Sequence, residues 1–280
     1  MPQLLKLLRP HSWIKNLFIF FPLFFAREFF IREKLSGVLF AFIVFCITAS
    51  IVYIINDITD IEQDRKHPLK KERPLASGAI SIRTALLTLV LLLACDIYLL
   101  YTFVPGITLL VILYLSLNLL YSLYLKHIAI VDILLVSSFY FIRVLVGGVA
   151  SGVVVSHWLL LCVIFVSLFL IVGKRLAELS HNEKRKVLEH YSEEFLNSIL
   201  TIAATLTIVS YSLYSVLVLD SYLAILSIFF VLLGIIRYVF IIFTTHKAEY
   251  PEKAIFADGV IFLSSLMWIL CMYAIFYVHL

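Results

Sequence analysis

Asp57, Asp60 and Asp64 stand three and four positions apart in the string Asn56-Asp57-Ile58-Thr59-Asp60-Ile61-Glu62-Gln63-Asp64. On a continuous helix that spacing sets three carboxylates in one narrow stripe. Like charges so arranged oppose the helix, and desolvation near a membrane boundary adds to the cost, so the stripe calls for a cation. Oxygen-only ligands select a hard ion, and Mg2+ takes one or two carboxylates and completes its shell with water and phosphate oxygens. Asn56 adds a neutral oxygen. An acidic stripe by itself is more often a solvated helix end, but here Arg65, Lys66, Lys70, Lys71 and Arg73 follow at once, in a loop stiffened by Pro68 and Pro74. A carboxylate-held metal beside fixed cations suits a diphosphate: the metal bridges its oxygens, and Lys and Arg balance the remaining charge.

The chain that must position these groups has 280 residues, 63% apolar and only 14% charged, where soluble domains run nearer a half and a quarter. A water-facing surface cannot be built from that composition, so the expected fold class is an all-α integral membrane protein. A helical crossing takes about 20 mainly apolar residues. Apolar runs at 12–31, 36–56, 80–103, 105–125, 129–150, 156–173, 196–219, 221–245 and 256–279 predict a bundle of about nine transmembrane helices in a single domain, 1–280. The first run follows Lys6 and Arg9 like a signal peptide, yet it carries Pro22 and no small-residue cleavage pattern, so it is read as a membrane segment. The net charge is +4, and the basic residues fall in short clusters between apolar runs, which argues against a nucleic-acid partner. Cys46, Cys95, Cys162 and Cys271 lie inside apolar stretches without CxxC spacing and are expected to be small core residues.

Lys and Arg in short loops set orientation. With the N-terminus inside, sixteen basic residues lie on the cytoplasmic side: Lys6, Arg9, Lys15, Arg65, Lys66, Lys70, Lys71, Arg73, Lys126, Lys174, Arg175, Lys184, Arg185, Lys186, Lys247 and Lys253. Three, Arg27, Arg32 and Lys34, lie outside. The two long polar loops, about 57–79 and 174–195, are then both cytoplasmic, so the chemistry is expected on the cytoplasmic face of a plasma (inner) membrane protein.

The string NDITDIEQDRKHPLKKERPLASG resembles the first aspartate-rich motif, NDxxDxxxD with a following KxxRP element, of the UbiA superfamily of intramembrane transferases. The resemblance begins at RPHSWIKN near the N-terminus and covers nearly the whole chain. It implies nine helices with a site open to the cytoplasm. Members that prenylate aromatic rings carry a second aspartate-rich motif, broadly DxxxD. Here the region reads Tyr121-Ser122-Leu123-Tyr124-Leu125-Lys126, with Asp132 following and Val136 four positions further on. One acidic residue and a lysine replace the second cluster. The pattern YSLYLK with Asp132 and Arg143 is similar to the polyprenyl-phosphate (decaprenyl-phosphate) phosphoribosyltransferase branch, as are Gly173-Lys174-Arg175-Leu176-Ala177-Glu178, His190-Tyr191-Ser192, and Ile236-Arg237-Tyr238 with Asp258. Ser138 departs from the glycine expected in that branch.

Several of these residues also have a plain physical reading. Arg143 lies eleven positions after Asp132, nearly the same helix face three turns deeper, where an ionisable group faces a bundle interior or a polar cavity. A structural Asp–Arg or Lys–Asp pair and a ligand contact both remain open for them. Lys174, Glu178 and His181 share a face, and the Lys174–Glu178 pair is also ordinary helix support. Asp96 is expected to pair with a neighbouring helix, and Arg237 with Asp258. His67, Tyr121, Tyr124 and Tyr191 are candidates to hydrogen-bond phosphate or ribose.

The resemblance implies 5-phosphoribosyl diphosphate (PRPP) as donor, a polyprenyl phosphate in the bilayer as acceptor, and Mg2+ as cofactor. Asp57, Asp60 and Asp64 would bind the metal–diphosphate, with Asn56 in support. Lys15, Lys70 and Arg73 would hold phosphates, and Lys126 and Lys174 the remaining anionic groups. Tyr121, Tyr124, Asp132, Arg143, Arg175 and Glu178 complete the substrate-binding set, with Lys126 counted among the catalytic residues. An acceptor phosphate is already ionised near neutral pH, so no strong base is required. The rivals are an aromatic prenyltransferase of the same superfamily, an ion-coupled transporter and a structural assembly subunit. Transporters place charge near mid-membrane in both halves, whereas here it gathers on one face. A homo-oligomer is left open.

Overall fold

The computed structural model describes residues 3–67, 70–180, 186–245 and 257–278. Pro68, His181, Lys184, Arg185, Lys247 and Lys253, used in the sequence argument, lie outside them. No strand occurs among the described residues. Eight helices among the described residues are long and apolar enough to cross a membrane. We label them α1 (Arg32–Thr59), α2 (Ile82–Phe103), α3 (Thr108–Leu123), α4 (Val131–Ser151), α5 (His157–Ser180), α6 (Glu193–Tyr214), α7 (Tyr222–Thr245) and α8 (Gly259–Tyr277). The protein is therefore an all-helical, multi-pass membrane protein.

The first expected crossing takes a different form. Residues Pro10–Phe20 wind as a 3-10 helix, followed by a short α-helix at Phe21–Phe25. A 3-10 helix rises about 2.0 Å per residue against 1.5 Å for an α-helix, so the segment still reaches about 30 Å, the thickness of the hydrocarbon core. The other difference is at α5, which runs past the expected end at 173 to Ser180. Gly173 does not terminate it. A Cβ there would meet Ile242 Cδ1 at 2.9 Å and Tyr238 Cε1 at 3.0 Å, so the glycine lets α7 approach α5 closely. Lys174, Arg175 and Glu178 consequently sit on the helix, as the shared face of Lys174 and Glu178 requires, so the long loop begins after Ser180 and not at 174.

The chain forms two compact units. The first comprises Met1–Leu123 and Ile142–Val154. Its centre is α1, which packs against α2, α3 and the 3-10 segment. With three residues per turn, side chains of the 3-10 segment eclipse one another in straight rows. Trp13, Asn16 and Ile19 form one row. Trp13 Nε1 donates to Ser50 Oγ at 3.1 Å, Asn16 Nδ2 meets Cys46 Sγ at 3.3 Å, and the Ile19 carbonyl rests on Gly147 of α4. A Cβ at Gly147 would lie 1.9 Å from that carbonyl oxygen, and one at Gly37 would lie 2.4 Å from the Ala150 oxygen. Both glycines are there for backbone proximity. As expected, Asp96 of α2 is buried and pairs with its neighbour: Thr48 Oγ1 of α1 lies 2.9 Å from its Oδ2.

The second unit comprises Tyr124–Phe141 and Val155–Leu280. Helices α5 and α6 pack together, as do α7 and α8. The Tyr211 hydroxyl joins three of them, accepting from Trp268 Nε1 at 2.8 Å and sharing a hydrogen bond with Ser227 Oγ at 2.6 Å. Asp258 caps α8 by accepting from the Val260 and Ile261 amides, both at 3.1 Å, and Arg237 Nη2 donates to it at 2.9 Å. Arg237 and Asp258 thus form the structural pair expected of them.

Candidate active site

The acidic segment does not continue as one helix. α1 ends at Thr59, Asp60 takes a non-helical conformation, and a short helix restarts at Ile61–Arg65 with Asp60 as its N-cap residue. The single stripe expected from spacing is therefore broken at its middle member. Asp57 and Asp64 still meet, because both bind one guanidinium: Arg73 Nη1 lies 2.6 Å from Asp64 Oδ2 and 3.3 Å from Asp57 Oδ1. Arg9 donates to the same Asp57 oxygen. Asp57 is 1% exposed and Asp64 4%, so two arginines supply the positive charge that buried like-charged carboxylates require. Asp60 is half-buried at the junction.

Among the described residues no three His, Cys, Asp or Glu side chains are gathered as a ligand set. The carboxylates nonetheless suit a hard cation, because Asp57 Oδ2 is buried and accepts no hydrogen bond. Such an atom is costly to desolvate alone. With its other oxygen fixed by Arg9 and Arg73, Asp57 presents one anionic oxygen of the type that Mg2+ prefers.

Arg73 owes its place to an apolar anchor. Leu75 and Ile80 are buried against Leu7, Ile54 and Ala85, so the chain after Arg73 is pinned to the roots of α1 and α2. The turn closes with the Ser77 amide donating to the Arg73 carbonyl at 2.9 Å and the Ile80 amide to the Pro74 carbonyl at 3.0 Å. Gly78 sits at φ 76, a left-handed position that glycine fills without strain. Lys70 opens this loop; its amide donates to His67 Nδ1 at 3.2 Å.

Arg9 was not among the residues singled out for chemistry. The available signal was its place at the head of RPHSWIKN. Leu7, fully buried, pins the preceding short helix, and Arg9 adopts a left-handed conformation (φ 52) as the chain turns into the 3-10 segment. Its guanidinium lies 4.9 Å from the Tyr53 ring centroid. Arg9 precedes the 3-10 helix, in which Ser12 and Lys15 share a second straight row, and all three act on the Tyr53 hydroxyl or ring.

Arg143 lies deeper in the same unit. Its Nε donates to Asn16 Oδ1 at 2.8 Å and its Nη2 to the Tyr114 hydroxyl at 3.0 Å. Eleven residues of α-helix separate it from Asp132 by about 16 Å, and the two take different partners. Asn56 Oδ1 accepts from Ser122 Oγ at 2.6 Å, tying α1 to the end of α3. Tyr121 is half-buried on the same helix end.

The second unit holds the other polar cluster. Asp132, fully buried, accepts from Arg175 Nε at 2.8 Å on Oδ2 and from the Tyr191 hydroxyl at 2.5 Å on Oδ1. Arg175 Nη1 also donates to Glu178 Oε2 at 2.6 Å, and Lys174 Nζ stands 3.7 Å from Glu178 Oε1. Burial and the bond to Asp132 push the Tyr191 phenol above its ordinary range, so the hydroxyl keeps its proton and donates. Its oxygen in turn accepts from the Ile130 amide at 2.6 Å. Ile130 has φ 70, a conformation that costs a β-branched residue on the order of 1–3 kcal/mol. Half-buried Lys126 lies in the 3-10 turn Leu125–His127 just before this corner, and Tyr124 is exposed beside it. Ser138 donates to the Leu135 carbonyl at 2.7 Å, within its own helix.

Comparisons with known proteins show the family and the fold. The family model described as the UbiA prenyltransferase family matches residues 17–266, which run through both units. A decaprenyl-phosphate phosphoribosyltransferase of Mycobacterium tuberculosis (strain CDC 1551 / Oshkosh) is 38% identical over 219 residues, covering 75% of this chain and 72% of the relative. One from Corynebacterium glutamicum is 39% identical over 220 residues, covering 75% of this chain and 66% of the relative. The fold resembles a UbiA homolog from Archaeoglobus fulgidus bound to DMAPP and Mg2+, with a TM-score of 0.75, 17% identity, and coverage of 99% of this chain and 100% of that one. An aspartate cluster at the end of α1, a basic loop pinned beside it and this likeness across the chain lead to one conclusion: the protein belongs to the UbiA prenyltransferase family.

Proposed function

We propose that this protein transfers the 5-phosphoribosyl group from PRPP to a polyprenyl phosphate in the plasma membrane, at the cytoplasmic face, giving 5-phosphoribosyl-1-phosphopolyprenol and diphosphate. Relatives at 38% and 39% identity carry the name of that activity. The observation that carries the reading is the contrast between two carboxylates. Asp57 keeps one buried oxygen without a hydrogen-bond partner, whereas both oxygens of Asp132 are taken up by Arg175 and Tyr191. One acidic face, rather than two, is ready for a cation–diphosphate. This suits a compact, heavily anionic donor better than a prenyl diphosphate gripped from two sides.

Asp57, Asp60 and Asp64 would hold Mg2+, with Asn56 in support. When bound, the ion would draw charge from the departing diphosphate as the anomeric carbon becomes oxocarbenium-like. The protein's own groups do the rest. Arg9 and Arg73 fix the Asp57 carboxylate, and Lys15, Lys70 and Arg73 neutralise phosphate oxygens. We assign Lys126, Lys174 and Arg143 to the remaining anionic groups, Tyr121 and Tyr124 to hydroxyl contacts, and Asp132, Arg175 and Glu178 to support of Lys174 and Lys126. The acceptor phosphate needs no deprotonation near neutral pH, which accords with a site rich in cations.

The test is product analysis. Purified protein given PRPP, Mg2+ and a polyprenyl phosphate should yield a lipid heavier by one phosphoribosyl group, and it should leave 4-hydroxybenzoate unprenylated when given a prenyl diphosphate. Prenylated 4-hydroxybenzoate with no modified lipid would favour the aromatic prenyltransferase reading instead.

A further inference from the structure

We propose that Tyr191 is a positioning residue for the Lys126 turn: its hydroxyl holds the left-handed corner at Ile130 through which that turn enters α4. The proposal rests on reading Lys126 as an anion-binding residue of phosphoribosyl transfer, and adds the element that sets its place.

The turn Leu125–His127 and α4 are separated by three residues, Ile128 to Ile130. The Ile128 amide donates back to Leu125 at 3.1 Å, and the Asp132 amide to Ile128 at 3.1 Å. The Ile130 amide, just ahead of the helix, belongs to the groups a helix start leaves without an intrahelical acceptor. Tyr191 provides that acceptor at 2.6 Å, and the same hydroxyl donates to Asp132 at 2.5 Å. Asp132 is fixed in turn by Arg175, and the Tyr191 ring stacks on Phe195 with planes 10° apart. The hydroxyl is therefore set by Asp132 of α4, which Arg175 of α5 fixes, and the ring by Phe195 of α6. An isoleucine does not hold φ 70 unaided, since its branched Cβ crowds the backbone there. Without the bond, the corner would relax toward extended backbone and carry the Lys126 turn with it.

Glycine occupies the left-handed region freely, so it separates this role from substrate contact by Tyr191. Tyr191→Phe removes only the hydroxyl. It should raise KM for PRPP by about tenfold with kcat nearly unchanged, and Ile130→Gly added to it should restore KM most of the way. The second readout does not depend on the reaction. A cysteine at exposed His127, labelled by a soluble methanethiosulfonate against the parent chain as blank, should react several-fold faster with Tyr191→Phe and return to the parent rate with Ile130→Gly. Unchanged KM and labelling in Tyr191→Phe would overturn the proposal, and so would a defect that glycine leaves uncorrected. If the wild type does not turn over PRPP, the phosphoribosyl reading falls while the labelling rates still decide this one.

Discussion

Gly147→Ala tests how tightly the first unit is built around its 3-10 segment. An added Cβ would lie 1.9 Å from the Ile19 oxygen, 2.8 Å from the Ile19 carbonyl carbon and 3.1 Å from Pro22 Cδ. Two of these are backbone atoms, so no rotamer change relieves them. To regain even a tight contact the segment must retreat from α4 by about 1 Å, and overpacking on this scale costs about 1–3 kcal/mol. The same retreat strains the bond from Arg143, one helical turn away, to Asn16 Oδ1, which is 2.8 Å long in the wild type. Losing a buried charge-assisted hydrogen bond adds about 1.5–3 kcal/mol. Alanine's better helix propensity returns about 1 kcal/mol. The clash wins, with a net loss of about 1.5–5 kcal/mol. In mixed micelles titrated with SDS, the unfolding midpoint should fall clearly. Gly259→Ala, where a Cβ meets nothing within 4 Å, should not lower it. A Gly147→Ala protein as stable as wild type would refute the close packing of the 3-10 segment on α4.

Asp57→Asn keeps the shape but removes the charge that Arg9 and Arg73 bind. Turnover should fall by roughly 10²–10³-fold in a protein that remains folded by circular dichroism, and retained activity would undo the metal assignment. Arg175→Met leaves Asp132 and Glu178 buried without their shared cation, which should cost about 3–5 kcal/mol in the SDS titration; little change would mean that this network is not structural. Asp96→Asn should shift stability by about 1 kcal/mol and leave PRPP kinetics alone, whereas Lys126→Ala should raise KM for PRPP with the protein intact. The opposite pattern in those two variants would show that the roles of Asp96 and Lys126 have been misassigned.

Much of the architecture was legible because apolar run length fixes membrane helices almost by itself. The ends were harder to read. Gly173 beside Lys174 looks like a helix stop, and only the approach of Tyr238 and Ile242 reveals why a glycine stands in mid-helix. The first crossing was visible as an apolar run, but nothing in PHSWIKNLFIF announces a 3-10 helix, whose straight rows follow from contacts with α1 and α4. In the site, spacing brought Asp57 and Asp64 to one place but put them in one helix, since neither the break at Asp60 nor the Arg73 bridge between the two is encoded in their spacing. Arg9 went unassigned because its charge pairs with an aspartate 48 residues away. Asp132, Arg175 and Glu178 were found by motif, yet their mutual saturation arises from the meeting of α4 and α5, which no local pattern encodes.

The most direct measurement of the central claim is transfer of radiolabelled phosphoribose from PRPP into an organic-extractable lipid by purified protein with Mg2+ and polyprenyl phosphates of short and long chain. The expected result is labelled lipid with release of diphosphate, abolished by chelation and by Asp57→Asn. No labelled lipid at any chain length, from a protein that is folded and prenylates an aromatic acceptor, would contradict the account.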